Sequence, residues 1–299
     1  MGPGYYRCVK FIAAVLLCAC GSVQGTQKDA DVDSPSQETD AYVPTCAAAS
    51  FTTSAPVAGI NTAADDVFLR LSDDELTAYF ATLGTTASSL YATRGSKTVP
   101  FDSPNPLPIM GTGEVTSPTV TADGLTLYLI SSRSGGLGVG DIWRSTRQSV
   151  TATFGTPANV GALNSAADEL DVYVLPDNSA VYFSSARTNN VYSIWRAARN
   201  GAGFDAPVEV LSVAPGFANR VVVTPDELQL FYQAGNDIHI SRRASKSDPF
   251  PTGMKIDPLN TVNADNPTWI SADGCRLYFQ TNRAGTMGLD FYVSVREPQ

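Results

Sequence analysis

The stretch Pro118-Thr-Val-Thr-Ala-Asp-Gly-Leu-Thr-Leu-Tyr-Leu-Ile130 predicts two short β-strands joined by a tight turn. Asp123-Gly124 is a strong hairpin signal, and residues 125–130 are apolar enough for a strand inside a sheet. A loop follows, and residues 141–147 are predicted to form a third strand. Residues 101–108 contain prolines, which are tolerated at sheet edges, and so fit an outermost strand. The unit therefore predicts a sheet of four strands.

This unit is repeated five times between Phe51 and the end of the chain. Each copy opens with a phenylalanine, has a turn aspartate 22 or 23 residues later, and has an aromatic residue five positions after that aspartate. A repeat of about 50 residues built from short strands is typical of a β-propeller, with one sheet per repeat. The sequence thus predicts an all-β fold, a five-bladed β-propeller with four-stranded blades. The repeated positions are Phe51, Phe101, Phe154, Phe204 and Phe250; Asp74, Asp123, Asp177, Asp226 and Asp273; and Tyr79, Tyr128, Tyr182, Phe231 and Tyr278.

Short motifs inside the repeat resemble those of a known family. Thr121-Ala-Asp-Gly124, Ser271-Ala-Asp-Gly274 and Asp141-Ile-Trp143 resemble the PD40 (WD40-like) repeats of the TolB propeller family. The resemblance covers residues 51–299 and implies the propeller fold. Propellers of that family usually have six blades, whereas five modules are counted here.

The phase of the repeat predicts how the ring closes. Each module begins with an outermost strand, so the last blade lacks its own, and residues 51–60 are expected to pair beside strand 289–296. Cys46 precedes this first strand, and Cys275 lies at the turn of the last blade, at the same end of it. We therefore expect a disulfide between Cys46 and Cys275 in an oxidising compartment. Two free thiols are the alternative.

The N-terminus has the pattern of a secretory signal. Residues 1–19 contain Arg7 and Lys10, then a short apolar run and small residues. The ending Leu17-Cys-Ala-Cys-Gly21 resembles the lipobox of bacterial lipoproteins, in which the cysteine matching Cys20 is acylated and becomes the mature N-terminus. The resemblance implies a lipid anchor in the bacterial cell envelope, on the outer membrane more than the inner one. An ordinary signal peptide with a chance cysteine is the alternative.

The segment after the signal differs in composition from the repeat. Residues 20–45 are polar and acidic, with almost no large apolar side chain, and are expected to form a disordered tether. Residues 46–299 then form the propeller, which we expect to be monomeric. The net charge of −9 argues against nucleic acid as a partner.

The innermost strands supply the candidate ligand-binding residues. Successive side chains of a strand point to opposite sides, so each innermost strand supplies two sets of residues. The first set is aliphatic in every module and is expected to pack between blades. The second set varies and is expected to lie nearest the central channel. Arg70, Tyr173 and Trp269 in the varying set suit a polar ligand such as a sugar ring or a peptide. Asp66 and Asp171 stand at the channel mouth. Filling of the channel is the alternative role for the first three. The aliphatic set is Leu71, Val120, Val174, Val223 and Ile270, and the varying set is Arg70, Thr119, Tyr173, Val222 and Trp269.

Two charge patterns repeat among the modules. Arg133, Arg187 and Arg283 each follow a turn aspartate by ten residues, and they are expected to pair within a blade with Glu114, Glu169 and Asp265, respectively. The upper face of the propeller is the end that carries the loops between second and third strands, and the lower face is the opposite end. Basic residues in and after the third strands predict a basic lower face, which we interpret as facing anionic lipid headgroups.

These features favour a non-enzymatic binding or scaffold module, whose partner is a protein or a cell-wall glycan at the upper face. The chain has one histidine, His239, so neither a Ser-His-Asp triad nor a histidine-based metal site is expected, and no catalytic residue, metal or cofactor is predicted. The main rival is a five-bladed glycoside hydrolase, which requires two or three carboxylates, and Asp66, Asp171 and Asp265 stand at the mouth. A lectin is the third possibility. The divergence of the channel positions speaks against five equal lectin sites.

Overall fold

A computed structural model describes residues 46–52, 54–84, 87–111, 115–213 and 216–297. Within these ranges the regular elements are all β-strands, and no helix long and apolar enough to cross a membrane is present. The predicted signal at 1–19, the predicted acylation site Cys20 and the predicted tether at 20–45 lie outside the described residues.

The strands form five antiparallel sheets, and apart from its first strand the chain completes one sheet before it enters the next. The chain first forms β1 (Ser54–Pro56). Blade 1 has β2 (Asp65–Leu71), β3 (Thr77–Leu83), β4 (Ala87–Thr93) and β5 (Asn105–Pro106), and blade 2 has β6 (Thr116–Val120), β7 (Thr126–Ser131), β8 (Asp141–Thr146) and β9 (Ala158–Asn159). Blade 3 has β10 (Glu169–Val174), β11 (Ala180–Thr188) and β12 (Val191–Asn200), with β13 (Gly203–Phe204) and β14 (Val208–Leu211) both paired to β12. Blade 4 has β15 (Asn219–Val223), β16 (Gln229–Ala234), β17 (Asp237–Arg242) and β18 (Met254–Lys255), and blade 5 has β19 (Asp265–Ile270), β20 (Arg276–Thr281) and β21 (Asp290–Val295).

The ring closes as the phase of the repeat predicted. Strand β1 is the fourth strand of blade 5 and pairs with β21, so that Ser54 lies opposite Ser294. Cys46 and Cys275 form a disulfide, with Cα atoms 5.1 Å apart, just before that strand. Strand pairing and a covalent bond therefore join the two ends of the propeller. The five-bladed, four-stranded architecture is confirmed.

Each repeated aspartate organises the turn between the first and second strands of its blade. In blade 2, Asp123 Oδ1 accepts hydrogen bonds from the Thr121 hydroxyl at 2.6 Å and from the Leu125 amide at 2.9 Å. Such side-chain bonds replace backbone partners in tight turns. Asp74, Asp226 and Asp273 accept equivalent pairs of bonds, and Asp177 accepts the amide bond.

The repeated phenylalanine stacks on an arginine that lies at the end of the third strand of a blade or directly after it. The Arg147 guanidinium lies 4.2 Å from the centroid of the Phe154 ring, and Arg147 Nε donates to the Gly124 carbonyl at 2.7 Å. This contact ties the third strand to the turn and to the next segment of chain. The other stacked pairs are Arg94 with Phe101, Arg199 with Phe204, Arg243 with Phe250, and Arg296 with Phe51.

These five arginines are among the basic residues from which the sequence predicted a basic lower face. Their stacking contacts stabilise the fold, and Arg296 is fully buried. Contact of the lower face with lipid remains a prediction that depends on other basic residues.

The aliphatic alternation of the innermost strands lies in the core. Leu71, Val174, Val223 and Ile270 are buried, and Val120 is half-buried. Residues of several blades share one apolar cluster, which includes Phe80 against Phe291 with ring centroids 5.5 Å apart. Packing between neighbouring blades therefore forms the main core.

Candidate binding site at the central channel

Arg70 crosses the central channel and contacts three other blades. Its Nη2 atom donates to Asp171 Oδ1 at 3.0 Å and to the Val172 carbonyl at 3.3 Å, both on blade 3. The same nitrogen lies 3.5 Å from the Val221 carbonyl of blade 4, and Nη1 donates to the Thr268 carbonyl of blade 5. Arg70 is 2% exposed and Asp171 is 1% exposed. A buried ion pair therefore occupies the channel at this level.

The Asp171 carboxylate has a second partner on blade 2. The Ser117 hydroxyl donates to Asp171 Oδ1 at 2.5 Å, and its oxygen accepts from the Val172 amide at 3.3 Å. Ser117 is itself fully buried. Asp171 thus links blades 1, 2 and 3 around the channel, and an ion pair removed from water is maintained by such additional hydrogen bonds.

A β-bulge places residues on the channel that the strand alternation did not predict. The strand register shifts in the innermost strand of every blade, and in blades 1, 2 and 4 the shifted segment includes Phe68, Ser117 and Arg220, respectively. These three residues have φ angles of 60°, 48° and 57°, and a bulge of this kind redirects the side chain. All three stand six residues before a turn aspartate, where blades 3 and 5 have Asp171 and Pro267. The residue type at this position differs in all five blades, and this variation is the feature of the sequence that could have identified it as a channel position.

Arg220 is a channel residue that the strand alternation did not predict. Its guanidinium lies 3.9 Å from the centroid of the Phe68 ring, as a cation–π contact. Among the described residues, its Nε and Nη1 atoms have no hydrogen-bond partner and are buried. Burial lowers the pKa of Arg220 to about 10, and the nearby Asp171 carboxylate acts in the opposite direction. Arg220 therefore has two buried donors without an acceptor in the described part of the chain, which suit an oxygen-bearing ligand.

Tyr173 and Trp269, both predicted as ligand contacts, lie inside the protein. The Tyr173 ring lies under Arg70, whose guanidinium carbon is 5.2 Å from the ring centroid. Burial raises the pKa of the Tyr173 phenol. Trp269 packs edge-on against Tyr278, with ring centroids 5.7 Å apart. Three predicted residues, Arg70, Tyr173 and Asp171, are thus brought together by the fold, and their role toward a ligand stays a prediction.

Asp66 is buried at the start of blade 1 and has its own partners. Its carboxylate accepts from the Thr62 amide at 2.6 Å and from the Thr62 hydroxyl at 3.0 Å. Burial raises the pKa of Asp66 to about 6, and the charges of Asp290 and Asp65 add to the rise. No bond links Asp66 to Arg70, Tyr173 or Asp171 among the described contacts.

Two of the three predicted intrablade ion pairs form at the upper face, the end of the propeller that carries the loops between second and third strands. Arg187 Nη2 lies 3.2 Å from Glu169 Oε1, and Arg283 Nη2 lies 2.9 Å from Asp265 Oδ1. The third predicted acid, Glu114, lies outside the described residues. Each of the two paired guanidiniums also contacts two aromatic rings, Phe183 and Trp195 for Arg187 and Phe279 and Tyr292 for Arg283. These arginines therefore stabilise the loops, and in the described part of the chain no three His, Cys, Asp or Glu side chains gather as metal ligands.

Comparison with solved structures agrees with the fold, although neither protein-family models nor curated protein sequences gave a match. The catalytic domain of a GH62 α-L-arabinofuranosidase from Coprinopsis cinerea is 16% identical, with a TM-score of 0.56 over 85% of this chain and 98% of that one. A thermostable family-43 glycoside hydrolase is 12% identical, with a TM-score of 0.56 over 82% of this chain and 92% of that one. A TolB-like protein from Agrobacterium tumefaciens is 15% identical, with a TM-score of 0.47 over 75% of this chain and 73% of that one. At these identities the similarity to the two hydrolases shows the fold alone, in agreement with the five blades of the strand topology.

Proposed function

We propose that this protein is a non-enzymatic binding or scaffold module of the bacterial cell envelope, anchored to a membrane through lipidated Cys20. The partner is a protein or a cell-wall glycan that contacts the upper face at the channel. The signal-like residues 1–19 and the lipobox-like sequence around Cys20 support the location. A lipoprotein signal directs export, and the Cys46–Cys275 disulfide is of the kind that persists in an oxidising compartment.

The burial of Asp171 is the observation that carries the non-enzymatic role. Glycoside hydrolysis uses two carboxyl groups that flank the scissile bond, one as acid and the other as base or nucleophile. Asp171 is 1% exposed and bonded to Arg70 and Ser117. A carboxylate held in this way cannot approach a glycosidic bond unless the Arg70 ion pair opens. Arg220, with two unpaired nitrogens, is the group we assign to ligand binding.

A glycoside hydrolase is the second candidate, and Asp66 favours it. A general acid must hold its proton near neutral pH, and a raised pKa provides this property. The pKa of Asp66 is raised to about 6 by burial. The GH62 α-L-arabinofuranosidase and the family-43 glycoside hydrolase share the fold with this chain.

A turnover assay separates the two candidates. The full-length protein is incubated with nitrophenyl glycosides, including α-L-arabinofuranosides, and with peptidoglycan, beside the Asp66→Asn and Asp171→Asn variants. We expect no turnover by any of the three proteins. Turnover that is lost in both variants, with their folding verified by circular dichroism, would replace our proposal with the hydrolase.

The binding role and the location are tested directly. The lipid anchor predicts incorporation of labelled fatty acid and membrane fractionation, both abolished by Cys20→Ser. Sedimentation with isolated envelope fragments should be weakened by Arg220→Gln and unaffected by Lys255→Gln, a change at an exposed lysine on the outermost strand of blade 4. Equal sedimentation of both variants would remove Arg220 from the binding surface.

A further inference from the structure

Two glutamates at equivalent positions bridge neighbouring blades at the lower face. Glu75 and Glu227 directly follow the turn aspartates of blades 1 and 4, with φ angles of 61° and 57°, and both are buried. Each carboxylate reaches the preceding blade and accepts a hydrogen bond from its repeated tyrosine. The Tyr278 hydroxyl lies 3.0 Å from Glu75 Oε2, and the Tyr182 hydroxyl lies 2.6 Å from Glu227 Oε2.

Basic side chains complete both of these clusters. Glu75 is bonded by Arg276 at 2.9 Å and Lys97 at 3.0 Å. Glu227 is bonded by Arg196 at 2.6 Å and Lys246 at 3.1 Å. The stacked arginines Arg94 and Arg243 lie 3.9 Å and 4.0 Å from the two carboxylates. A carboxylate is thus the natural occupant of this position between blades.

The equivalent position between blades 1 and 2 has no side chain. Gly124 follows the turn aspartate of blade 2 with a φ of 71°, and a Cβ placed on it would lie 3.0 Å from Val150 Cγ1 and 3.5 Å from Arg147 Nη2. A cleft of about 590 Å³ opens there, lined by the repeated Tyr79 and by the stacked Arg147. Both residues correspond to groups that surround the glutamates of the other two clusters. The tyrosine and the stacked arginine are therefore kept where the internal carboxylate is missing, whereas the lining has no counterpart of Arg276 or Arg196 or of the two lysines.

Arg147 has no carboxylate within 4.0 Å among the described ion pairs, unlike Arg94 and Arg243. Asp74 and Asp123 also line the cleft. Each of them is bonded to the hydroxyl and amide of its own turn, as Asp226 and Asp273 are beside the two glutamate clusters. The turn aspartates are therefore compatible with a carboxylate at this position.

We propose that the cleft between blades 1 and 2 binds a carboxylate from another molecule, a glutamate side chain of a partner polypeptide, with Arg147 and the Tyr79 hydroxyl as donors. Val150 stands where the other two clusters have Lys97 and Lys246, three residues after the stacked arginine. Val150, Tyr91 and Leu107 give the cleft apolar walls for the rest of the partner segment. This site lies at the lower face and is independent of the channel.

The test uses the full-length protein, isotopically labelled, and two blocked amino acids, N-acetyl-glutamate amide and N-acetyl-glutamine amide. We expect saturable NMR shifts of the Gly124 amide and the Arg147 Nε resonance with the glutamate probe. Binding of the glutamine probe should be at least about tenfold weaker, because hydrogen bonds to a charged group are the stronger ones. Equal shifts with both probes, or no saturable shift, would overturn the proposal.

Matched variants add an internal occupant or an extra cation. Gly124→Glu combined with Val150→Lys recreates the clusters of blades 1 and 4 and should abolish binding of the probe. Val150→Lys alone should strengthen binding several-fold, since it adds the missing cation. Tyr79→Phe, which removes one hydroxyl and keeps the ring, should weaken binding. Unchanged affinity in Val150→Lys and Tyr79→Phe would contradict the assignment.

Glucuronate is the third probe, and tighter binding of it than of the blocked glutamate would replace the polypeptide with a sugar acid.

Discussion

The Arg296 guanidinium lies 4.8 Å from the centroid of the Phe51 ring, so that the end of the last strand holds the first residues of the propeller. Arg296 also donates to the Gly274 carbonyl at 2.6 Å and to Gln229 Oε1 at 3.1 Å. The same stacking occurs in every blade, but here it joins segments from opposite ends of the chain. The contact therefore contributes to closure of the ring.

Replacement of Arg296 by methionine should destabilise the protein by about 2–4 kcal/mol, because buried carbonyl and amide acceptors lose their donor. Thermal unfolding should detect a fall of several degrees, since about 1 kcal/mol corresponds to roughly 2–4 °C in a domain of this size. Arg242→Met, at an exposed arginine, is the control and should change stability by less than about 0.5 kcal/mol. Equal losses of stability in the two variants would show that the contacts of Arg296 do not stabilise the closed ring.

Removal of the disulfide should also lower stability. Cys46 and Cys275 are 229 residues apart in sequence, and the chain-entropy description gives at most about 5 kcal/mol for so long a loop. We expect reduction to lower the unfolding temperature of the wild type, measured by calorimetry with and without dithiothreitol. The Cys46→Ser/Cys275→Ser double variant should show the lower value in both conditions. A variant that still responds to the reductant would point to another cause.

The buried pair in the channel should behave as a unit. Asp171→Asn should cost about 3–5 kcal/mol, because it leaves the Arg70 guanidinium buried without its counter-charge. Arg70→Met combined with Asp171→Asn should cost clearly less than the sum of the two single changes. Urea unfolding of the four proteins gives the double-mutant cycle. Strict additivity would mean that the two groups do not interact.

Protonation of Asp66 should make stability depend on pH between about 4 and 6. Its folded pKa of about 6 is above the unfolded value of 3.8, so the native state binds the proton more tightly. The free energy of unfolding should therefore fall as the pH rises through this window, by about 3 kcal/mol from this group. Asp66→Asn should remove that slope in urea titrations at a series of pH values. A slope that persists in the variant would have another origin.

Glu227 should produce the opposite dependence at lower pH. Arg196, Tyr182 and Lys246 lower the pKa of Glu227 to about 2 despite burial. Its folded pKa is below the unfolded value of 4.5, so its stabilisation is present above pH 4.5 and is lost as the pH falls toward 2. Glu227→Gln should lower stability at pH 7 by about 3 kcal/mol and reduce the acid sensitivity. Glu209→Gln, at an exposed neighbour, is the matched control.

The architecture could be read from the sequence because its signals are local and repeated. Each turn aspartate bonds to residues within three positions of itself, so the pattern in one module is the pattern of one hairpin. Five copies reinforced one another. The closure by β1 followed from the phase, and the Cys46–Cys275 bond from the phase together with an expected oxidising compartment.

The channel could be predicted only in part, because its geometry depends on bulges and on contacts between distant blades. Phe68, Ser117 and Arg220 adopt positive φ angles although they are not glycine. The conformational preferences of these residue types do not predict such angles. Arg70 was placed correctly at the innermost strand, but its bond to Asp171 joins positions 101 residues apart. The role of Gly124 emerges only when its cleft is compared with the glutamate clusters of the other blades.

The pairing of β1 with β21 has a consequence for how the chain reaches its native state. Ser54 and Ser294 are partners, although almost the whole domain lies between them in sequence. During synthesis β1 stays unpaired until residues 290–295 have been made. Contacts between residues so far apart in sequence form slowly. An exposed edge strand is prone to wrong pairing in that interval. Correct pairing of β1 therefore depends on completion of the other strands of blade 5.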